Sequence, residues 1–316
     1  MNAVRHYIVR RLLSAVPVLL GISLLAFVLA QLSPGDPAEI MLEAAGTGMP
    51  SAEEVAALHS YLGLDQPVYV QYGLWLWRIL HGDGGISYHL GLPVFTVLLA
   101  RLPVTVMLAA ASLCWAAVGG IGLGLLMARM RGTWAAMLLH GVTQVMLATP
   151  SFLTAILLIL VFGVWLHVLP TNGVDAAAGY LLPSFALALV TLAMTAQLLD
   201  AQLREALASL YAQTARLRGL SEGRVLLTYA LPNALVPVTA MLGNFAAAVL
   251  GGAIIVETVF ALPGIGSLAL DAIHYRDYPL LQGYVLFLGG IYVLVTLAVD
   301  LVLARMDPRI VLGGGD

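Results

Sequence analysis

Six apolar runs, each close to the length that crosses a bilayer, constrain this chain more than any other feature. They cover residues 12–32, 104–127, 151–168, 183–203, 234–257 and 283–304. About 20 predominantly apolar residues span the hydrocarbon core as a helix. A soluble fold has no interior large enough for so many. Of the 316 residues 61% are hydrophobic and 10% charged, against roughly 45–50% and 25% in an ordinary soluble domain. The expected fold class is therefore an all-α integral membrane protein with six transmembrane helices.

Charge then sets the orientation. Cytoplasmic loops of membrane proteins carry the excess of basic residues. With both termini inside, all but three of the 14 basic residues fall on the cytoplasmic side, and the exceptions are Arg78, Arg101 and Arg276. Every basic residue is arginine, so a phosphate-binding GxxxxGK[ST] loop is excluded. The single cysteine, Cys114, excludes an internal disulfide and a CxxC metal cluster. No basic stripe suggests nucleic acid. No HExxH or other catalytic constellation suggests a membrane enzyme.

The chain divides into three parts: 1–32, the N-terminus and first span; 33–95, an extracytoplasmic subdomain; and 96–316, a five-helix core. The basic start before the first run also fits a secretory signal, but no A-x-A cleavage pattern follows, so an uncleaved helix is expected. In 33–95 the sequence MPSAEEVAALHSYLGL reads as a short helix, with Ser51 as N-cap and Glu54 completing a capping box. A second helix is expected at QPVYVQYGLWLWRIL, whose Tyr69, Tyr72, Trp75 and Trp77 suit a membrane interface. Pro150 should break the third span, leaving a lead-in at 135–148. Residues 170–180 and 258–282 read as outer loops.

The connection 204–233 mixes arginines with Tyr211, Leu217, Leu220 and Leu226. It reads as a short helix, a turn at Gly219 and a second helix capped by Ser221. A solvated positive loop and a docking helix for a cytoplasmic partner both fit that composition. A resemblance separates them. Gln213-Thr214-Ala215, then Gly219, then Tyr229-Ala230-Leu231-Pro232 stand at the spacing of the EAA loop of bacterial ABC importer permeases, with Gln213 in place of the usual acid.

Further blocks resemble the dipeptide, oligopeptide and nickel branch of those permeases. They are LSPGDPA, LGLDQPVYVQY, TARLRGLSEGRVLLTYALPNALVPV, GGAIIVETVFALPGIGSLALDAIHYRDYPLLQG and DPRI. The subdomain after the first span resembles the first permease of a pair. The YGLWLW piece is most similar to nickel-importer permeases. The resemblance implies a permease subunit of a binding-protein-dependent importer in the bacterial inner membrane, carrying nickel or a nickel chelate. A di- or oligopeptide permease is the alternative, and a stand-alone channel or secondary transporter a remote one. It implies a second homologous permease, two cytoplasmic ATPase subunits and an extracytoplasmic binding protein as partners. ATP and magnesium belong to the ATPases; this chain binds no cofactor of its own. The coupling residues it points to are Gln213, Thr214, Ala215, Arg216, Arg218, Gly219, Leu220 and Pro232.

Candidate pathway or gate residues are Glu257, Gly251, Gly252 and Asn244 in the fifth span. The competing reading of Glu257 is an interfacial helix-end carboxylate bonded to the next loop. Asp200 and Asp300 also lie at or within spans. Gly120 and Gly124 form a GxxxG suited to close helix packing. The outer-side histidines His59, His81, His89 and His274 are candidate metal ligands, although none forms an i, i+4 pair.

Overall fold

The computed structural model describes residues 2–32, 35–44, 50–173 and 177–306, and the side chains of 2–8, 44, 251 and 252 lie outside that description. The DPRI signature and Arg309 fall beyond it. Five helices are long and apolar enough to cross a membrane: α1 (Asn2–Leu32), α5 (Val94–Arg129), α8 (Ala177–Ala208), α10 (Glu222–Leu250, continuing helically to Gly252) and α13 (Tyr278–Met306). The pair α6 (Trp134–Ala148) and α7 (Ser151–Trp165), bent by 103°, is long and apolar enough only when its two halves are taken together. The break falls at Pro150, as expected, because proline cannot donate the helical N–H and clashes with the preceding turn.

α8 is the most enclosed of the long helices. Its alanines and threonines let neighbours approach. On α5 a Cβ at Gly120 would strike Thr195, and one at Gly124 would strike Leu199 and the Ala196 carbonyl. The GxxxG of the second span therefore packs against α8, the close approach that small residues permit. α13 packs on α1 and α10. Gly243 meets Val299 there, and Arg11 pairs with Asp300 at 3.0 Å.

After the first span come three short helices, α2 (Pro37–Ala44), α3 (Ala52–Leu62) and α4 (Val68–Leu80). Ser51 and Glu54 complete the capping box on α3. Tyr72 and Trp75 pack on Phe27 of α1, and the Tyr72 hydroxyl lies 2.8 Å from Ser23. Tyr69 and Trp77 stay exposed.

Three boundaries differ from the sequence reading. α5 begins at Val94, ten residues before the expected span, because its first turns are buried against an outer helix. Residues 258–282 are not simply a loop. They carry the end of α11 (Ile254–Val259) and α12 (Ile265–His274). Ile265, Leu268, Ala269 and Ala272 of α12 pack on Val94, Val97 and Leu98. Finally, the connection 204–233 is shorter than it reads: α8 runs to Ala208, and α10 starts at Glu222, passing through a π-helical stretch, Val225–Ala230.

Candidate functional site

The segment that resembles the EAA loop is built on α9 (Leu210–Leu217). Ala212 and Ala215 lie on one face, three residues apart, and are buried against Val225, Leu207 and Leu220. Alanine at both positions lets α9 lie close to the start of α10. The opposite surface is uncovered, with Leu210 80% and Leu217 89% exposed and flanked by exposed Gln213 and Thr214. Gly219 adopts φ +81°, the left-handed geometry that closes a helix, and its N–H reaches the Arg216 carbonyl at 2.8 Å.

Polar groups brace this element from within. Gln213 Nε2 donates to the Ala208 carbonyl at 3.1 Å, fastening α9 to the end of α8. A carboxylate at that position could not donate this bond, so the departure from the usual acid has a local structural use. Thr214 Oγ1 donates to the Leu210 carbonyl. Arg216 donates to Glu222 at 2.7 Å and to the Leu207 carbonyl at 2.9 Å. The hydrogen bond with Glu222 raises the Arg216 pKa. Arg216 is thus turned inward, whereas Arg218 is exposed and its side chain makes no hydrogen bond or ion pair among the described residues. Ser221 precedes α10 as expected, but its side chain makes no capping bond. Leu220 is partly buried and Pro232 exposed.

Next to this segment is a charge cluster that sequence reading only half found. Asp200 of α8 is 2% exposed. Its carboxylate meets Arg131 at 2.9 Å, Arg204 at 2.7 Å and His140 at 3.5 Å. Three segments converge on one buried anion: the α5–α6 turn, α6 and the C-terminal part of α8. Arg204 was legible as an i, i+4 partner; Arg131 and His140 were not, because they come from distant sequence.

At the opposite end Glu257 is fully buried. Its carboxylate accepts from Thr105 Oγ1 at 2.6 Å and from the Ser267 N–H at 2.9 Å. Thr105 Oγ1 in turn accepts from the Ile265 N–H at 2.9 Å. Gly264 and Gly266 come so close that a Cβ on either would strike the carboxylate. Glu257 therefore ties α5, α11 and the start of α12 together. This is the arrangement of the helix-end carboxylate bonded to the following loop.

The other fifth-span candidates are not gathered around it. Gly251 and Gly252 end the α10 helix. Asn244 is exposed midway along α10 and makes no side-chain hydrogen bond among the described residues. A polar amide on an apolar span requires a partner helix or water.

The histidines are also dispersed. His59 Nε2 lies 2.8 Å from Asp36, with Asp65 3.7 Å from its Nδ1. His81 contacts the Trp77 carbonyl. His89 stacks on Tyr275, and His274 meets the edge of the same ring. Among the described residues no three His, Cys, Asp or Glu groups are placed to hold a metal ion.

Residues 120–312 match the family described as binding-protein-dependent transport system inner membrane component, and residues 4–109 match its N-terminal companion. The chain belongs to this permease family of ABC importers. A Brucella suis protein, provisionally named a peptide transport system permease, is 38% identical over 311 residues, covering 96% of this chain and 98% of its own. The glutathione transport system permease GsiC of Escherichia coli K12 is 35% identical over 305 residues, with 96% and 98% covered. Among solved structures, the inward-facing MetNI methionine ABC transporter matches with TM-score 0.56 and 17% identity, over 67% of this chain and 97% of the other. That likeness supports the fold alone. The protein is a multi-pass inner-membrane permease subunit. Neither relative's name points to nickel, and Tyr72 and Trp75 of the YGLWLW piece are engaged in packing on α1.

Proposed function

We propose that this chain is one of two paired permeases in an ATP-driven importer of short peptides. The observation that carries the reading is α9: a small helix, braced by Gln213 and Arg216, that leaves Leu210, Tyr211 and Leu217 uncovered. An apolar face with polar surroundings suits a protein partner. A cytoplasmic ATPase subunit seated there moves α9, and the Ala212–Ala215 contact passes the motion to the start of α10. ATP and magnesium stay in the ATPases. An extracytoplasmic binding protein delivers cargo to the side bearing α2–α4, and both termini lie in the cytoplasm. The exposed Asn244 face of α10 meets the second permease or the water-filled path.

Peptide cargo is favoured over nickel by the peptide and glutathione names of relatives aligned over nearly the whole chain. The test is ATP-dependent uptake in proteoliposomes holding both permeases, the ATPases and the binding protein. Labelled tri-alanine or glutathione should accumulate and be outcompeted by unlabelled peptide but not by nickel. Accumulation of nickel, with or without a small chelator, and none of peptide overturns the cargo assignment and leaves the permease assignment standing.

A further inference from the structure

A polar cleft on the outer side has no role in the account above. It holds about 160 Å³ and lies between the 86–93 hairpin, the first turns of α5, and α12 with the turn that follows it. That is well above the roughly 10–15 Å³ a single water needs. Arg101 and Asp271 both line the cleft. Their opposite charges do not meet: among the described residues neither side chain makes a hydrogen bond or an ion pair.

The rest of the cleft is held rigid. Asp277 is fully buried, and its carboxylate is committed to the Ser87 hydroxyl and to the N–H groups of His89 and Leu280, both at 3.2 Å. It therefore fixes the hairpin to the start of α13 and is not the partner of Arg101. His89 and Tyr275 stack with ring centroids 3.6 Å apart and planes 6° from parallel, forming an aromatic wall. Depth favours an aqueous site. Arg101 stands roughly 42 Å along α5 from Arg129, at about 1.5 Å per residue. The hydrocarbon core is about 30 Å thick.

We infer that this cleft is a receptor for a peptide terminus, with Arg101 taking the C-terminal carboxylate and Asp271 facing a donor on the same molecule, an N–H or ammonium group. Arginine presents a planar fork that matches a carboxylate in two bonds. A separated cation and anion in one small cleft suits a ligand carrying both charges better than a lone anionic side chain or a lipid phosphate. The inference rests on the peptide reading above and adds where the permease itself reads its cargo.

The test uses the full importer in proteoliposomes, with tri-alanine and tri-alanine amide each at equal occupancy of the binding protein. Wild type should take up the free acid about tenfold faster than the amide. Arg101→Gln should bring that ratio close to one, and Arg101→Lys should restore part of it. A direct measurement needs no binding protein: phenylglyoxal modification of Arg101, read by mass spectrometry on the purified complex, should be slowed by millimolar tri-alanine and not by its amide. Unchanged discrimination in Arg101→Gln overturns the inference, as does labelling that tri-alanine fails to slow. Slowing by anionic lipid alone, or an Arg101→Gln defect confined to docking of the binding protein, assigns the anion to another source and also overturns it. Wild-type vesicles that carry no peptide at all overturn the peptide reading and this inference together, a result distinct from peptide uptake with unaltered discrimination.

Discussion

Removing the Glu257 carboxylate separates a structural anchor from a gate. Glu257→Ala strips the acceptor from two donors, Thr105 Oγ1–H and the Ser267 N–H, inside a fully buried site. A buried donor left without a partner costs about 1–3 kcal/mol, so the pair sums to about 2–6 kcal/mol. At roughly 2–4 °C per kcal/mol, the midpoint of thermal unfolding of the purified permease should fall by about 5 °C or more. Glu257→Gln keeps the shape and one acceptor and should lose roughly half as much. Geometry supplies a sharper check. Gly264→Ala places a Cβ where the carboxylate sits, an overpacking that costs about 1–3 kcal/mol. In the Glu257→Ala background that space is empty, so the second substitution should cost less than it does alone. Midpoints from scanning fluorimetry of the four proteins give this coupling directly. An unchanged midpoint in Glu257→Ala, together with lost or leaky uptake, refutes the anchor and returns Glu257 to the pathway.

Other substitutions probe the remaining elements. Asp200→Ala should destabilise the C-terminal part of α8 by about 1–3 kcal/mol, below the usual penalty for breaking a buried pair because its arginine partners are 38% and 53% exposed and can turn to water; thermal unfolding of the detergent-purified protein reports it. Arg216→Ala should leave ATPase subunits bound but uncouple hydrolysis from uptake, since it removes the internal brace, whereas Arg218→Ala should weaken ATPase binding with little change in coupling per bound subunit; pull-down combined with uptake per ATP separates them. Just before α2, burial works to raise the Asp36 pKa, but the Ala38 N–H and His59 outweigh it and hold it below 3.8. A lowered folded value stabilises above the unfolded pKa and is lost as pH falls through the folded one. Hydrogen-exchange protection of α2 should therefore hold at neutral pH and decline below the ordinary value of 3.8, and Asp36→Asn should remove that decline.

Sequence by itself determined the membrane class and the apolar runs that cross, because such spans announce themselves by length and apolarity. It also placed the break at Pro150, the capping box at Ser51 and Glu54, and the turn at Gly219, all of which rest on contacts within a few residues. α12 was legible in principle: Ile265, Leu268, Ala269 and Ala272 follow the helical i, i+3, i+4, i+7 pattern. Its ten residues are too few to span, so apolarity alone leaves it within a loop. Only the tertiary structure decided which charges are partners. Asp200 with Arg131 and His140, Glu257 with Thr105, and Asp277 with Ser87 join residues from 60 to 190 positions apart. No local periodicity encodes such pairings. They follow from burial, which strips water from a carboxylate and leaves it stable only where the fold brings donors from other helices to meet it.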